Sequence, residues 1–213
     1  RRSAPGDAGP YHGAPLMGAA DVFGHSWRAR RVGVIGLGRS GAAAAQLLCR
    51  AGAAVRVTDA RDSNELQASA RQLRAAGVET VELGGHTTRL LEPLELLVVS
   101  PGVAESTLPL QWAVRRGIPV ISEIELAFRF CRAAVVAITG TNGKSTAVSL
   151  IAEILRAGGR SAIACGNLGL PFASVAADLP PQATAVVEVS SFQLLSCERF
   201  RPKIGVLLNI GTN

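Results

Sequence analysis

Apolar residues fall in short runs that alternate with longer segments of helical period along most of the chain. RVGVIG (31–36) is a buried-strand run, SGAAAAQLLCRAG (40–52) carries apolar positions at helical spacing and closes on Gly52, and AAVRVTD (53–59) is a second run ending on Asp59. Together they predict a β-α-β unit. ELQASARQLRAAG then reads as a helix, VETVEL and LELLVVS as strands, LPLQWAVRRG as a helix and IPVIS as a short strand. EIELAFRFCRA, from Glu123, reads as a connecting helix with Glu123 and Glu125 on its exposed face. A second series follows: the strand AAVVAIT, the glycine loop TGTNGKST, the helix AVSLIAEILRAGG, the strand RSAIACG, a short helix from Pro171, and the strands ATAVVEVS and KIGVLLN. Alternation of this kind predicts an α/β fold with largely parallel, doubly wound sheets. Residues 30–122 form a first domain and 123–213 a second, which stops before its series is complete. Residues 1–29, rich in Gly, Pro and Ala and without periodicity, read as a leader without fold, with structured sequence starting near Arg30.

Composition narrows this picture little. Apolar residues make up 48% of the 213, aromatics 4% and charged residues 18%, as expected of sheets covered on both faces. The net charge of +6 favours acidic partners. The basic residues are scattered arginines without interleaved aromatics, so a phosphorylated small ligand is expected rather than nucleic acid. Four widely spaced cysteines form no metal or disulfide pattern and fit small buried residues in a reducing cytosol. No apolar run approaches the ~18 residues that span a bilayer. A cytoplasmic monomer without membrane contact is the expectation.

Two glycine clusters carry the chemistry. GLGRSG (Gly36, Leu37, Gly38, Arg39, Ser40, Gly41) follows a strand, opens a helix, and precedes an acidic strand end at Asp59. Gly36 permits the tight turn, Gly38 lets backbone N–H groups approach a phosphate, and Gly41 lets the helix pack close. Taken alone it suggests NAD, with Asp59 on a ribose hydroxyl. Ser100, Pro101 and Gly102 make a second turn on the same sheet edge. In the other cluster, Gly140, Thr141, Asn142, Gly143, Lys144, Ser145 and Thr146 supply what a triphosphate needs. Glycines free the backbone N–H groups, Lys144 brings a point charge, and Ser145 or Thr146 a hydroxyl for Mg²⁺. The stretch suits ATP, although Ile138 stands where the general pattern wants glycine. Glu188, a lone carboxylate ending the apolar strand ATAVVEV on that edge, suits a hard cation.

TGTNGKST resembles the ATP loop of the Mur ligase family and of the related folylpolyglutamate synthetases. GLGRSGAAAA with Asp59-Ala60-Arg61, SPGV, IPVISEIELA, GNLG (166–169) and VEVSSFQL (187–194) resemble that family's D-glutamate-adding type, over about residues 31–210. The resemblance implies a Rossmann-like first domain that holds UDP-N-acetylmuramoyl-L-alanine, rather than NAD, on Gly36 to Gly41, Asp59, Ala60, Arg61 and Ser100 to Gly102. It implies a central domain with ATP on the glycine loop and Mg²⁺ on Ser145 and Glu188. Lys144 and Glu188 would serve catalysis, with Asn167, Ser190 and Gln193 near the substrate. The implied chemistry is phosphorylation of a substrate carboxylate to an acyl phosphate, which the amine of D-glutamate attacks. The three histidines, His12, His25 and His86, fall outside every motif and read as plain surface or loop residues. After LLNI the family continues with a His-bearing segment, a modified lysine and a further domain, whereas this chain reads GTN; a chain ending there is expected to be inactive by itself. An NAD oxidoreductase leaves TGTNGKST unexplained, and a non-catalytic nucleotide-binding fragment remains a third reading.

Overall fold

The computed structural model describes Leu16 and residues 20–91, 93–167 and 169–211. In chain order the first sheet unit comprises β1 (Arg31–Ile35), α1 (Arg39–Arg50), β2 (Ala54–Asp59), α2 (Asn64–Ala75), β3 (Thr80–Leu83), β4 (Leu96–Val99), α3 (Leu108–Arg115) and β5 (Val120–Ser122). Helix α4 (Glu123–Phe130) then leads to β6 (Ala134–Thr139), α5 (Lys144–Ala157), β7 (Ala162–Gly166), β8 (Thr184–Glu188), α6 (Ser191–Leu195) and β9 (Ile204–Leu207). The first sheet has the order β3-β2-β1-β4-β5 and the second β7-β8-β6-β9, with every pairing parallel. The periodicity therefore located each strand to within two or three residues. It did not signal α6, a five-residue helix held by a capping box in which Ser190 Oγ accepts the Gln193 N–H and the Gln193 side chain accepts the Ser190 N–H.

β1 and β8 are buried along nearly their whole length because helices cover both faces. One continuous core joins the units: Leu47 and Leu48 of α1, Ile124 and Phe130 of α4, and Phe172 of a 3₁₀ turn over Phe172–Ser174 share it. Apolar burial across this seam, at about 25 cal/mol per Å² removed from water, is what holds α4 between the sheets. The Arg50 guanidinium reaches Asp178 with two hydrogen bonds, of 2.8 and 2.6 Å, across the same seam.

Two expectations are corrected here. Two residues of the 20–29 segment, Asp21 and Trp27, are buried, so ordered structure begins before Arg30: Trp27 is fully buried, its ring 5.4 Å from that of Phe130, and its Nε1–H donates to Asp21. The Asp21 carboxylate also accepts the backbone N–H groups of Phe23 and His25. Residues 1–15 and 17–19, including His12, lie outside the described residues. Glu123 and Glu125 are likewise not exposed; both are fully buried. The reason is that α4 is buried nearly all round, so the two carboxylates, on different faces of the helix, each meet backbone N–H groups of the second unit, which replace water as donors. Glu125 accepts from Glu198, Arg199 and Phe200 and pairs with Arg129 at 2.8 Å. Among the described residues no helix is long and apolar enough to cross a membrane.

Candidate functional site

The strand order sets the site. β1 and β4 are neighbours while their connections run to opposite sides, so their C-terminal ends flank the crevice where open parallel sheets take ligands. The turn after β1 is built from the inside. Gly36 has φ +87°, and a Cβ on Gly41 would stand 1.8 Å from the Gly36 carbonyl oxygen, so α1 packs onto the turn only with glycine there. Ser100 Oγ donates to the Gly36 carbonyl at 2.9 Å, tying the two turns together. A Cβ on Gly38 would meet nothing within 4 Å; it would point into open space.

That space is a cavity of about 520 Å³ lined by Gly36, Gly38, Arg39, Ser40, Asp59, Ala60, Arg61, Ser100, Pro101, Gly102 and, from the second unit, Asn167. Residues singled out from four separate stretches of sequence thus share one chamber. Leu37 and Gly41 support its floor rather than line it. Asp59 is only 4% exposed, and its carboxylate accepts four hydrogen bonds: the N–H groups of Leu37 and Arg61 and two from the Arg61 guanidinium. Burial pushes this carboxyl up, but Arg61 and the two backbone donors outweigh it and hold it below the usual carboxylate range. All four of its acceptor positions are filled from within the chain, so it fixes Arg61 rather than offering a free ribose acceptor. His86, read from sequence as a plain loop residue, also lines the chamber, its Nδ1 2.8 Å from Thr58 Oγ. Its one legible signal was its place just past β3, on the ligand edge.

In the second sheet the loop from Gly140 to Gly143 links β6 to α5. Gly143 has φ +83° and stands at the N-cap of α5, a position that leaves the first N–H groups of the helix open to an anion. Lys144 Nζ donates to the carbonyls of Gly140 and Thr141 at 2.7 and 2.9 Å, so the ammonium lies folded across its own loop. Ser145 Oγ donates to Glu188 Oε2 at 2.7 Å. Glu188 is 2% exposed, and its Oε1 has no hydrogen-bonding partner. A buried carboxylate oxygen without a donor, beside a hydroxyl and the glycine loop at the start of α5, fits a small hard cation that takes one carboxylate and completes its shell with other oxygen ligands and water. Among the described residues no group of three or more His, Cys, Asp or Glu could hold a metal by itself. Glu188 also joins the two halves of the site, since its carbonyl accepts the Asn167 N–H at 2.9 Å.

Ser190 and Gln193 lie outside the chamber. Gln193 faces a second cavity of about 410 Å³ that shares Ser100, Pro101 and Gly102 with the first and is otherwise lined mainly by α6 and the turn after β4. Asn209 carries no local sequence signal. It follows β9, which pairs beside β6, and its side-chain amide exchanges two 3.0 Å hydrogen bonds with the backbone of Asn142.

The sequence model described as Mur ligase MurD-like, N-terminal domain, matches residues 30–122, and that for the Mur ligase middle domain matches residues 138–213. The chain belongs to the Mur ligase family. The D-glutamate-adding ligases, UDP-N-acetylmuramoylalanine--D-glutamate ligase, of Desulfosudis oleivorans and Pelotomaculum thermopropionicum are 47% and 45% identical to it over 85% of its length. The chain spans only about two fifths of those relatives, 39% and 40%. Among solved structures, a UDP-N-acetylmuramate:L-alanyl-gamma-D-glutamyl-meso-diaminopimelate ligase from Neisseria meningitides matches 86% of the chain and 61% of its own, with a TM-score of 0.56 at 20% identity, which speaks to the fold. The two matched domains divide this Mur ligase chain on either side of α4, with the chamber in the first, apart from Asn167, and the glycine loop in the second.

Proposed function

We propose that this chain is the nucleotide-handling part of an ATP-dependent ligase of peptidoglycan synthesis, acting in the cytoplasm to add D-glutamate to UDP-N-acetylmuramoyl-L-alanine. The observation that carries this reading is the bridge from Asn167 to Glu188. It puts a residue of the sugar-nucleotide chamber directly beside the Ser145–Glu188 pair at the foot of the triphosphate loop.

In this reading the first-unit turns hold the uridine diphosphate: Gly38 admits its oxygens, Arg39 and Arg61 supply charge, and Ser100 to Gly102 close the far side. Asn167 directs the sugar and its acyl arm toward the second sheet. Lys144 leaves the Gly140 and Thr141 carbonyls to meet the ATP phosphates, with the Gly143 turn and the start of α5 as N–H donors. Ser145 and Glu188 hold Mg²⁺, which supplies charge neutralisation for phosphoryl transfer. This chemistry asks the protein for positioning and electrostatics, and no side chain need act as a nucleophile. The NAD reading is disfavoured because Asp59, its ribose acceptor, is saturated by Leu37 and Arg61.

Thermal shift tests the assignment. UDP-N-acetylmuramoyl-L-alanine, Mg-ATP and NAD are added separately at about 100 times a plausible Kd, where a native-state ligand adds about 2.7 kcal/mol and raises Tm by roughly 5 to 11 °C. Shifts with the first two and none with NAD are expected; a shift with NAD alone overturns the reading. Lys144→Ala abolishes the Mg-ATP shift and leaves the uridine shift intact; equal loss of both would remove the two-site assignment.

A further inference from the structure

Glu123 opens α4 where the chain leaves the first sheet. It is fully buried, its Oε1 accepts the Ala173 N–H at 2.6 Å, and its Oε2 has no hydrogen-bonding partner. Glu125, two residues on and equally buried, differs in one respect: three backbone N–H groups and Arg129 compensate its charge. Glu123 has one donor and no cation. Its charge acts on the Cys165 thiol of β7, which in turn interacts with Cys131 past α4; burial pushes both thiols up, so neither supplies a compensating charge.

Ala173 sits at the base of the segment that presents Asn167. Gly166 N–H donates to the Leu170 carbonyl at 2.8 Å to close the loop, Phe172 anchors it in the core, and Asn167 N–H holds the Glu188 carbonyl. A Cβ on Gly166 would lie 2.2 Å from the Glu188 carbonyl oxygen, so this loop and the end of β8 are in close contact.

Resting on the function proposed above, we propose that Glu123 is a positioning residue that works as a proton-operated latch. As a neutral acid it leaves the seam dry and the Ala173 turn packed on α4; ionised, it is held more strongly by the Ala173 N–H but has no second donor or cation, so it draws water into the seam and loosens the Asn167 loop carried there. Physically, a neutral carboxyl is tolerated in this seam while a lone carboxylate is not, so ionisation either admits water or displaces the turn. Burial, only partly offset by the Ala173 N–H, pushes the carboxyl up to about 7. The folded chain therefore holds this proton more tightly than the unfolded chain does. The stabilisation is complete below the ordinary carboxylate value, declines as pH rises toward 7, and is gone above it.

Melting the chain and its Glu123→Gln variant at pH 5 and pH 8 tests the latch. The amide mimics the neutral acid at every pH, so the Tm of the variant minus that of the parent widens by on the order of 5 °C from pH 5 to pH 8. A difference that stays constant overturns the proposal. Should the variant not fold, side-chain carboxyl NMR of the parent decides: a glutamate titrating near 7 supports the latch, and none titrating above 6 overturns it. Amide resonances of Gly166, Asn167 and Ala173 follow that same midpoint in the parent and stay flat in the variant. Titration confined to Ala173 would deny the link to Asn167. None of these readouts uses a ligand, so they stand or fall separately from the thermal shifts that test the function.

Discussion

The turn after β1 and the loop after β6 occupy equivalent places, strand end to helix start, yet they are held in different ways. The first is locked from beneath: Gly41 against the Gly36 carbonyl, Ser100 Oγ on that same carbonyl, and Leu37 N–H on Asp59. Its ligand-facing position, Gly38, is left open. The second is held from the side and by itself: Asn209 pairs with Asn142, Gly211 N–H donates to Thr141 Oγ1, and Lys144 lies across two loop carbonyls. In the function proposed above, the first would be a cradle already in its binding shape, whereas the second would release its lysine before taking a triphosphate. A preformed site loses little in ordering on binding, and a self-satisfied one gives up internal hydrogen bonds first.

The sharpest way to break this comparison is Gly41→Ala. A methyl 1.8 Å from a backbone oxygen cannot be relieved by a rotamer change, so α1 must move off the turn. The helix-propensity gain of about 0.5–1 kcal/mol is small against overpacking of this kind. A net loss of about 3 kcal/mol or more is expected in denaturant unfolding, together with loss of the uridine-ligand shift. Wild-type stability would show that the turn is not locked as described.

How much of this could be read beforehand differs between the loops for a physical reason. GLGRSG and Asp59 were legible because a local β-α-β unit fixes their relation, and each glycine has a role the backbone alone dictates. Glu188 was legible as a carboxylate at a strand end, and Ser145 as its partner through the loop pattern. Asn209 was not, because its meeting with Asn142 depends on β9 inserting beside β6, a pairing across 68 residues that no local period encodes. The burial of Glu123 and Glu125 was hidden for a related reason. Helical spacing puts them on different faces of α4 and does not disclose the backbone donors of residues 173 and 198–200 that meet them. Trp27 escaped the same way, since its burial rests on α4, a hundred residues on.

Asn209→Ala tests the laterally held loop. Two exposed hydrogen bonds are lost, so a decrease of about 1 kcal/mol in unfolding free energy is expected. Mg-ATP affinity should fall by about three- to tenfold, because the loop then samples shapes that do not present its N–H groups. Uridine-ligand binding stays unchanged. Unaltered Mg-ATP affinity would mean that the loop keeps its shape without Asn209.

Gly38→Ala has the smallest effect on stability and separates the cradle's shape from its use. Gly38 has φ −69° and ψ −176°, a conformation that any residue adopts, and its added methyl touches no protein atom. Unfolding free energy should change by no more than about 0.5–1 kcal/mol, because the restriction alanine places on the unfolded chain is offset by its poorer fit at the α1 N-cap. The same methyl would occupy the approach path of the diphosphate, so the uridine-ligand thermal shift should vanish while the Mg-ATP shift persists. Because Gly41→Ala and Gly38→Ala alter one motif three residues apart, opposite outcomes divide the glycines into one that builds the turn and one that opens it. Should Gly38→Ala bind the uridine ligand normally, the phosphates do not pass over this turn, and the chamber must take its ligand from the His86 side.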